Sequence, residues 1–279
     1  MTTAQRWAEK FESIDATLTY TFPLNQYEWQ SEQGLRVAYG HGVGADYAHD
    51  FAGISLAPKS VGIEVVRFMM TGYASPAAFD TAFDAMLGQL MRIGQGKLFT
   101  NDSAGTRRWC YARLTARPSI TIAGLSWLAQ PVALHFTRLS DWFGASATTG
   151  SRTVTVSPDT FTINNPGNAP AKFIVFRLRA NAAAGFTNPA LANLTNGYSF
   201  STTRDSASAD SEIKVDTELA SVEFSTDNGV SYADDYALFS LGATQVGFMQ
   251  LEPGNNSMRV TCDGTPNFDL EWSFYAPNQ

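Results

Sequence analysis

From Val154 to the end, the sequence offers nothing that could form a helix. Apolar and polar residues alternate in short runs: Val154/Val156, Phe161/Ile163, Phe173–Leu178, Tyr198/Phe200, Ile213/Val215, Val222/Phe224, Met258/Val260/Cys262 and Phe268/Leu270/Trp272/Phe274. A period of two puts one face of each run against a core and the other in water, which is the signature of a half-buried strand. The runs are separated by Asn164-Asn-Pro-Gly-Asn, Asp227-Asn-Gly, Glu252-Pro-Gly-Asn-Asn and Asp263-Gly. Such residues supply the positive φ that tight turns require. Eight or so short strands in about 130 residues predict a sandwich or jelly roll.

The first half reads differently. Trp7, Phe11 and Ile14 at i, i+4, i+7 suggest a short helix or a docked arm, and Leu18, Tyr20, Phe22 and Leu24 alternate like a strand. Residues 38–53 hold four glycines and no stable period, and are expected to form a long loop. Residues 61–70 predict a buried strand. One clear helix follows over about 76–92, with Ser75 as N-cap, Pro76 in the first turn, a stripe of Phe79, Phe83, Met86, Leu87 and Leu90, and Gly94 as its stop. Leu98-Phe99, Arg108–Leu114, Ser119–Ile122 and Ala133–Phe136 read as strands. This half is therefore expected to be a sheet or small β-barrel with one helix laid on it. Residues 144–153 are small and polar, as a linker would be, so the expected domains are 1–145 and 146–279.

Charge follows the same division. Residues 1–145 carry 12 basic and 12 acidic residues, whereas 146–279 carry 7 and 14 and so hold the whole net charge of −7. A nucleic-acid surface needs a basic excess to neutralise phosphates, so specific nucleic-acid binding is disfavoured. No apolar run approaches the roughly 18 residues of a membrane span, so membrane insertion is not expected. The first residues lack the basic-then-apolar pattern of a secretion signal, and synthesis in the cytoplasm is expected.

No constellation of catalytic residues emerges. His41 and His49 flank the glycine-rich loop with only Asp46 and Asp50 beside them, which reads as solvated loop rather than metal site. His135 lies within an apolar strand. Cys110 and Cys262 lie 152 positions apart in strand-like contexts and read as small buried hydrophobes. The serines lack a Gly-x-Ser-x-Gly elbow, and Gly42-Val-Gly is not followed by a helix. Asp234 and Asp235 should diverge, while Asp269 and Glu271 should face outward from the last strand as solubilising charges. No catalytic, cofactor-binding or metal-binding residue is therefore assigned, and no enzyme or cofactor is expected. Arg107, Arg108, Arg113 and Arg117, interleaved with Trp109 and Tyr111, fit either an interface patch or a solvated strand face.

The order of segments resembles the distal tail proteins (Dit) of siphophages. Gly40-His-Gly and Asp46-Tyr precede Pro58-Lys-Ser-Val-Gly, the helix, Gly94-Gln-Gly-Lys-Leu-Phe, Arg108-Trp-Cys-Tyr-Ala-Arg-Leu and Val132-Ala-Leu-His-Phe. In the second half, Asn164-Asn-Pro-Gly-Asn-Ala-Pro-Ala and Leu251-Glu-Pro-Gly-Asn-Asn-Ser-Met look like the turns of that family's galectin-like domain. The Trp7–Ile14 segment has no place in the family pattern. The resemblance implies a structural virion protein of the phage tail tip. Its N-terminal belt domain (1–145) would form a homo-hexameric ring between the tail tube protein and the tail hub or baseplate. Its galectin-like domain (146–279) would project outward, in some relatives towards receptor-binding proteins. A tail tube subunit fits less well because such subunits usually have one barrel domain. The rival reading is a monomeric galectin-like carbohydrate-binding module, with Trp272, Tyr275, Tyr232 and Tyr236 available to stack on sugars.

Overall fold

The computed structural model describes residues 6–23, 26–32, 63–102, 105–115, 119–120, 129–182, 185–243, 245 and 247–278. These fall into two compact units that meet in the sequence between Ala145 and Ser146. The expected glycine-rich loop at 38–53, with His41, Asp46, His49 and Asp50, lies outside the described residues, as does Arg117.

The first unit is built from β1 (Arg6–Ser13), β2 (Thr19–Thr21), β3 (Gln26–Glu32), β4 (Ile63–Thr71), helix α1 (Pro76–Ile93), β5 (Gln95–Asp102), β6 (Arg108–Leu114), β7 (Ser119–Ile120), β8 (Ala129–Arg138) and the start of β9 (Trp142–Val154). Its strands pair antiparallel in the order β2–β1–β5–β6–β8–β4–β3, with β7 added beside β8. No closed barrel forms among the described residues. The helix is capped as its sequence predicts, with Ser75 Oγ accepting from the Ala78 N–H at 3.2 Å. Its Phe79, Phe83, Met86, Leu90 and Ile93 are buried in a core shared with Phe11, Phe68, Leu98 and Phe136.

The N-terminal segment is a strand, not a helix or an arm. β1 pairs with β5 and β2, and its register slips between Ala8 and Lys10. This bulge inserts one residue, so Ala8 and Phe11, three positions apart, both face the core and are almost wholly buried. A bulged strand thus reproduces part of a helical spacing, because the extra residue breaks the period of two. The expected linker at 144–153 is also strand, forming most of β9. Only Trp142, Phe143 and Val154 along β9 are buried, which is why its middle lacks the apolar alternation of a strand.

The second unit packs two sheets face to face. One has the order β16 (Ala233–Asp234), β15 (Ser221–Ser225), β14 (Glu212–Asp216), β11 (Ile174–Ala180), β19 (Phe268–Asn278) and β9. The other runs β10 (Asp159–Asn165), β18 (Gly254–Thr261), β12 (Ala190–Asn193), β13 (Ser199–Thr202) and β17 (Phe239–Leu241). Ile174, Phe176, Leu178, Ile213, Val215, Phe268, Leu270 and Phe274 of the first meet Ile163, Leu191, Phe200, Met258 and Val260 of the second in one core. The fully alternating burial of β11 states the period of two directly. The short strands β12, β16 and β17 carry too few residues to show that period in sequence.

Candidate functional site

The arginine cluster of the first unit does not form one patch. Arg107 makes a two-pronged ion pair with Glu9, at 2.7 and 2.6 Å, and its guanidinium lies 4.9 Å from the Phe99 ring centre. Lys10 sits 4.6 Å from the same ring, and Lys97 is 5.1 Å from Trp109. Trp109 in turn packs on Phe143 at 4.6 Å and on Tyr111 at 5.2 Å. Arg108 is half-buried and Arg113 is exposed. Trp109 and Phe143 are buried yet belong to neither core. What the sequence presents as an arginine run is therefore an aromatic row capped by Lys10, Lys97 and Arg107. Such cation–ring contacts are worth about 0.5–1 kcal/mol each at partly exposed sites. Lys10 and Phe99 were not legible as members, because they arrive from other strands through pairing.

In the second unit, the two turn motifs found far apart in the sequence meet. Ala171 bridges Leu251, with backbone hydrogen bonds of 2.8 and 2.9 Å. Asn165 is wholly buried and donates to the carbonyls of Ala169 and Leu251, while its Oδ1 accepts from the Gly167 N–H. Asn256, equally buried, accepts from the Glu252 N–H at 2.8 Å and from Asn193 Nδ2 at 3.0 Å. It donates to the carbonyls of Glu252 and Gly254. Gly254 has φ +84°, a backbone angle that β-carbon-bearing residues adopt rarely. Each motif thus contributes a buried asparagine that satisfies otherwise orphaned backbone groups, a structural role rather than a chemical one.

The outer face of the six-stranded sheet carries a ladder of charges. Glu212 is fully buried, accepting from Arg179 at 3.1 and 3.0 Å and from the Tyr232 hydroxyl at 2.5 Å. Burial and the Glu212 carboxylate beside it push the Tyr232 hydroxyl up to about 12. Lys214 pairs with Glu223 at 2.8 Å, and Thr153 donates to Asp269 at 2.6 Å. Asp269 and Glu271 do face outward, but Asp269 is bonded in place rather than merely solvated. Sequence reasoning missed Glu212, whose partners lie 33 and 20 positions away.

The titratable residues weighed from the sequence are each placed separately among the described residues. Asp235 is buried and held by Arg204, while the neighbouring Asp234 is exposed and accepts from the Tyr236 N–H, so the pair does diverge. His135 is half-buried within β8, opposite Val65. Cys110 and Cys262 are free and buried, and burial pushes both thiols up. Among the described residues no group of three His, Cys, Asp or Glu could hold a metal, and no helix is long and apolar enough to cross a membrane. Three of the four aromatics available for sugar stacking have other partners. Trp272 stacks on Phe161 at 5.6 Å, Tyr232 is bonded to Glu212, and Tyr236 lies against Phe239.

Across the described residues the fold is similar to that of a solved phage Dit protein. The Dit protein of phage SPP1, described as a paradigm of the hub adsorption apparatus of phages that infect Gram-positive bacteria, matches with a TM-score of 0.56. That match covers 97% of this chain and 98% of the SPP1 protein at 12% identity. A chain of the phage P2 baseplate, in its activated conformation with Ca, covers 97% and 98% at 8% identity and a TM-score of 0.47. No protein-family model and no curated protein matches the sequence.

Proposed function

We propose that this chain is a structural, non-enzymatic protein of a phage tail tip, a distal tail protein. Six copies form a ring that joins the tail tube above to the hub or baseplate below. Residues 1–145 act as the belt that closes the ring, and residues 146–279 form a galectin-like domain directed outward, where receptor-binding proteins can attach. The observation that carries this reading is the likeness to SPP1 Dit along almost the whole of both chains. A closed ring requires a heterologous interface, one surface of the belt meeting a different surface of the next copy.

The test is the native mass of the purified full-length protein at two concentrations, followed by electron-microscopic class averages. A species of six subunits, or a multiple of six, supports the ring. A monomer at both concentrations that also fails to assemble when mixed with the tail tube protein refutes it.

A further inference from the structure

We propose that the outer face of the five-stranded sheet binds a single phosphate group, in a trough between β18 and β13 that Arg259 flanks. The site is independent of the tail role. A cavity of about 280 Å³ lies there, lined by Arg259 and Thr261 of β18, Ala190 and Ala192 of β12, and Ser199 and Ser201 of β13. That is slightly below the roughly 300–1,000 Å³ of sites that take a whole small ligand, so it suits one end group.

Strand pairing builds the trough. Ala192 stands opposite Arg259 on one side and Ser199 on the other. Two residues along, Ala190 stands between Thr261 and Ser201, and Ser201 in turn meets Ser240 of β17. The central strand therefore contributes only methyl groups to this part of the face, between taller side chains. Neighbouring strands lie about 4.8 Å apart, so the two flanks are about 10 Å from each other. Gly242 keeps the Ser199 end clear, since a Cβ there would come 2.6 Å from the Ser199 hydroxyl.

The polar groups of the trough are open. Residues 146–279 hold 7 cations among 14 carboxylates. Arg152, Arg177, Arg179, Arg204 and Lys214 pair with carboxylates, and Lys172 is engaged as well. Arg259 is exposed, and its side chain has no ion pair or hydrogen bond among the described residues. The hydroxyls of Ser199, Ser201, Ser240 and Thr261 are likewise unbonded there, and no lining residue is acidic. An arginine left unpaired in an acid-rich unit, beside four hydroxyl donors, is arranged for an oxyanion. A carboxylate presents two oxygens in one plane, which the guanidinium fork alone can satisfy. A tetrahedral phosphate carries oxygens in several directions, so it can accept from the guanidinium on one flank and from serine hydroxyls on the other. A chain of phosphates needs a row of cations and would be repelled by the net charge of −7.

The full-length protein should be titrated with inorganic phosphate, methyl phosphate and dimethyl phosphate at constant ionic strength, with binding read from phosphorus NMR line widths and acetate added as competitor. The expected result is saturable binding of at least one phosphate probe in the millimolar range or tighter, resistant to acetate at equal concentration. Arg259→Ala should weaken it about tenfold or more, the loss of a hydrogen bond to a charged group. Ala192→Leu, which fills the floor of the trough but keeps the arginine, should weaken it by at least as much. Arg92→Ala, an exposed cation of the first unit, should leave it unchanged. Thermal midpoints matching the wild type establish that the variants fold. Binding of inorganic phosphate alone identifies the free ion as the ligand, and binding of the methyl esters identifies a phosphate carried on a larger molecule. Absence of saturable binding by all three probes overturns the proposal. So does displacement by equal acetate, or full affinity in either Arg259→Ala or Ala192→Leu.

Discussion

Asn256→Ala tests whether the corner joining the two turn motifs holds the second unit together. Asn256 has no exposed surface, and its side chain makes two short bonds as acceptor and two as donor. Alanine removes all four. Asn193 Nδ2 retains the Gln250 carbonyl at 2.9 Å, so its loss is partial. The Glu252 N–H loses its only bond of this kind, and an unsatisfied group of that sort costs about 1–3 kcal/mol. Adding the weaker losses at the Glu252 and Gly254 carbonyls gives a destabilisation of about 3 kcal/mol. For a unit of this size that lowers the thermal midpoint by about 10 °C. Asn255→Ala, one residue earlier in the same motif and exposed, should change stability by less than about 0.5 kcal/mol. Calorimetry of the full chain separates the two substitutions. If Asn256→Ala melts with the wild type, or if Asn255→Ala costs as much, then the buried asparagine is not what fixes the corner.

Other substitutions probe other levels of the fold. Gly88 sits in the middle of α1 with no atom within 4 Å of where a Cβ would lie, so Gly88→Ala should stabilise the first unit by about 1 kcal/mol in denaturant unfolding; a loss of stability would mean that the helix face is covered. At Gly150 a Cβ would come 2.4 Å from the Trp272 indole, so Gly150→Ala should cost about 1–3 kcal/mol and shift the tryptophan emission. Arg152 bonded to Asp159 holds that carboxyl below its usual value. A depressed folded-state value contributes stability above pH of about 4 that is lost as pH falls through it. Arg152→Ala should therefore move the acid-unfolding midpoint to higher pH, and an unchanged midpoint would remove this pair from the account.

Residues whose conformation is decided locally were legible in the sequence. Ser75, Pro76 and Gly94 bracket α1 because capping and stopping a helix depend on neighbours within a turn. The alternating β11 and β19 were legible because burial of one sheet face imposes its period wherever the strand is long enough. Asp227-Asn-Gly turns with positive φ at both Asn228 and Gly229, as the side-chain chemistry requires. Misreadings arose where pairing partners override the local pattern. β1 carries a bulge that only its register against β5 reveals, and β9 is a strand whose small residues are suited to a crowded, exposed position beside the Trp272 indole.

The same distinction explains why the candidate sites were hardest to see. Arg107 is conspicuous in sequence, but its ion-pair partner Glu9 lies 98 positions away, and the rings it caps come from other strands. Glu212, read alone, belongs to an alternating Glu-Ile-Lys-Val-Asp run in which an acidic residue should face water. It is buried because Arg179 arrives on one side by strand pairing and Tyr232 on the other through the turn at 226–232. Arg177 and Glu271 likewise stand opposite each other on strands almost a hundred residues apart in the chain. Sequence alternation places both residues on the outer face, but it cannot tell which charges on that face meet. Only the register, which sets which charges meet, separates a solvated charge from one bonded in place.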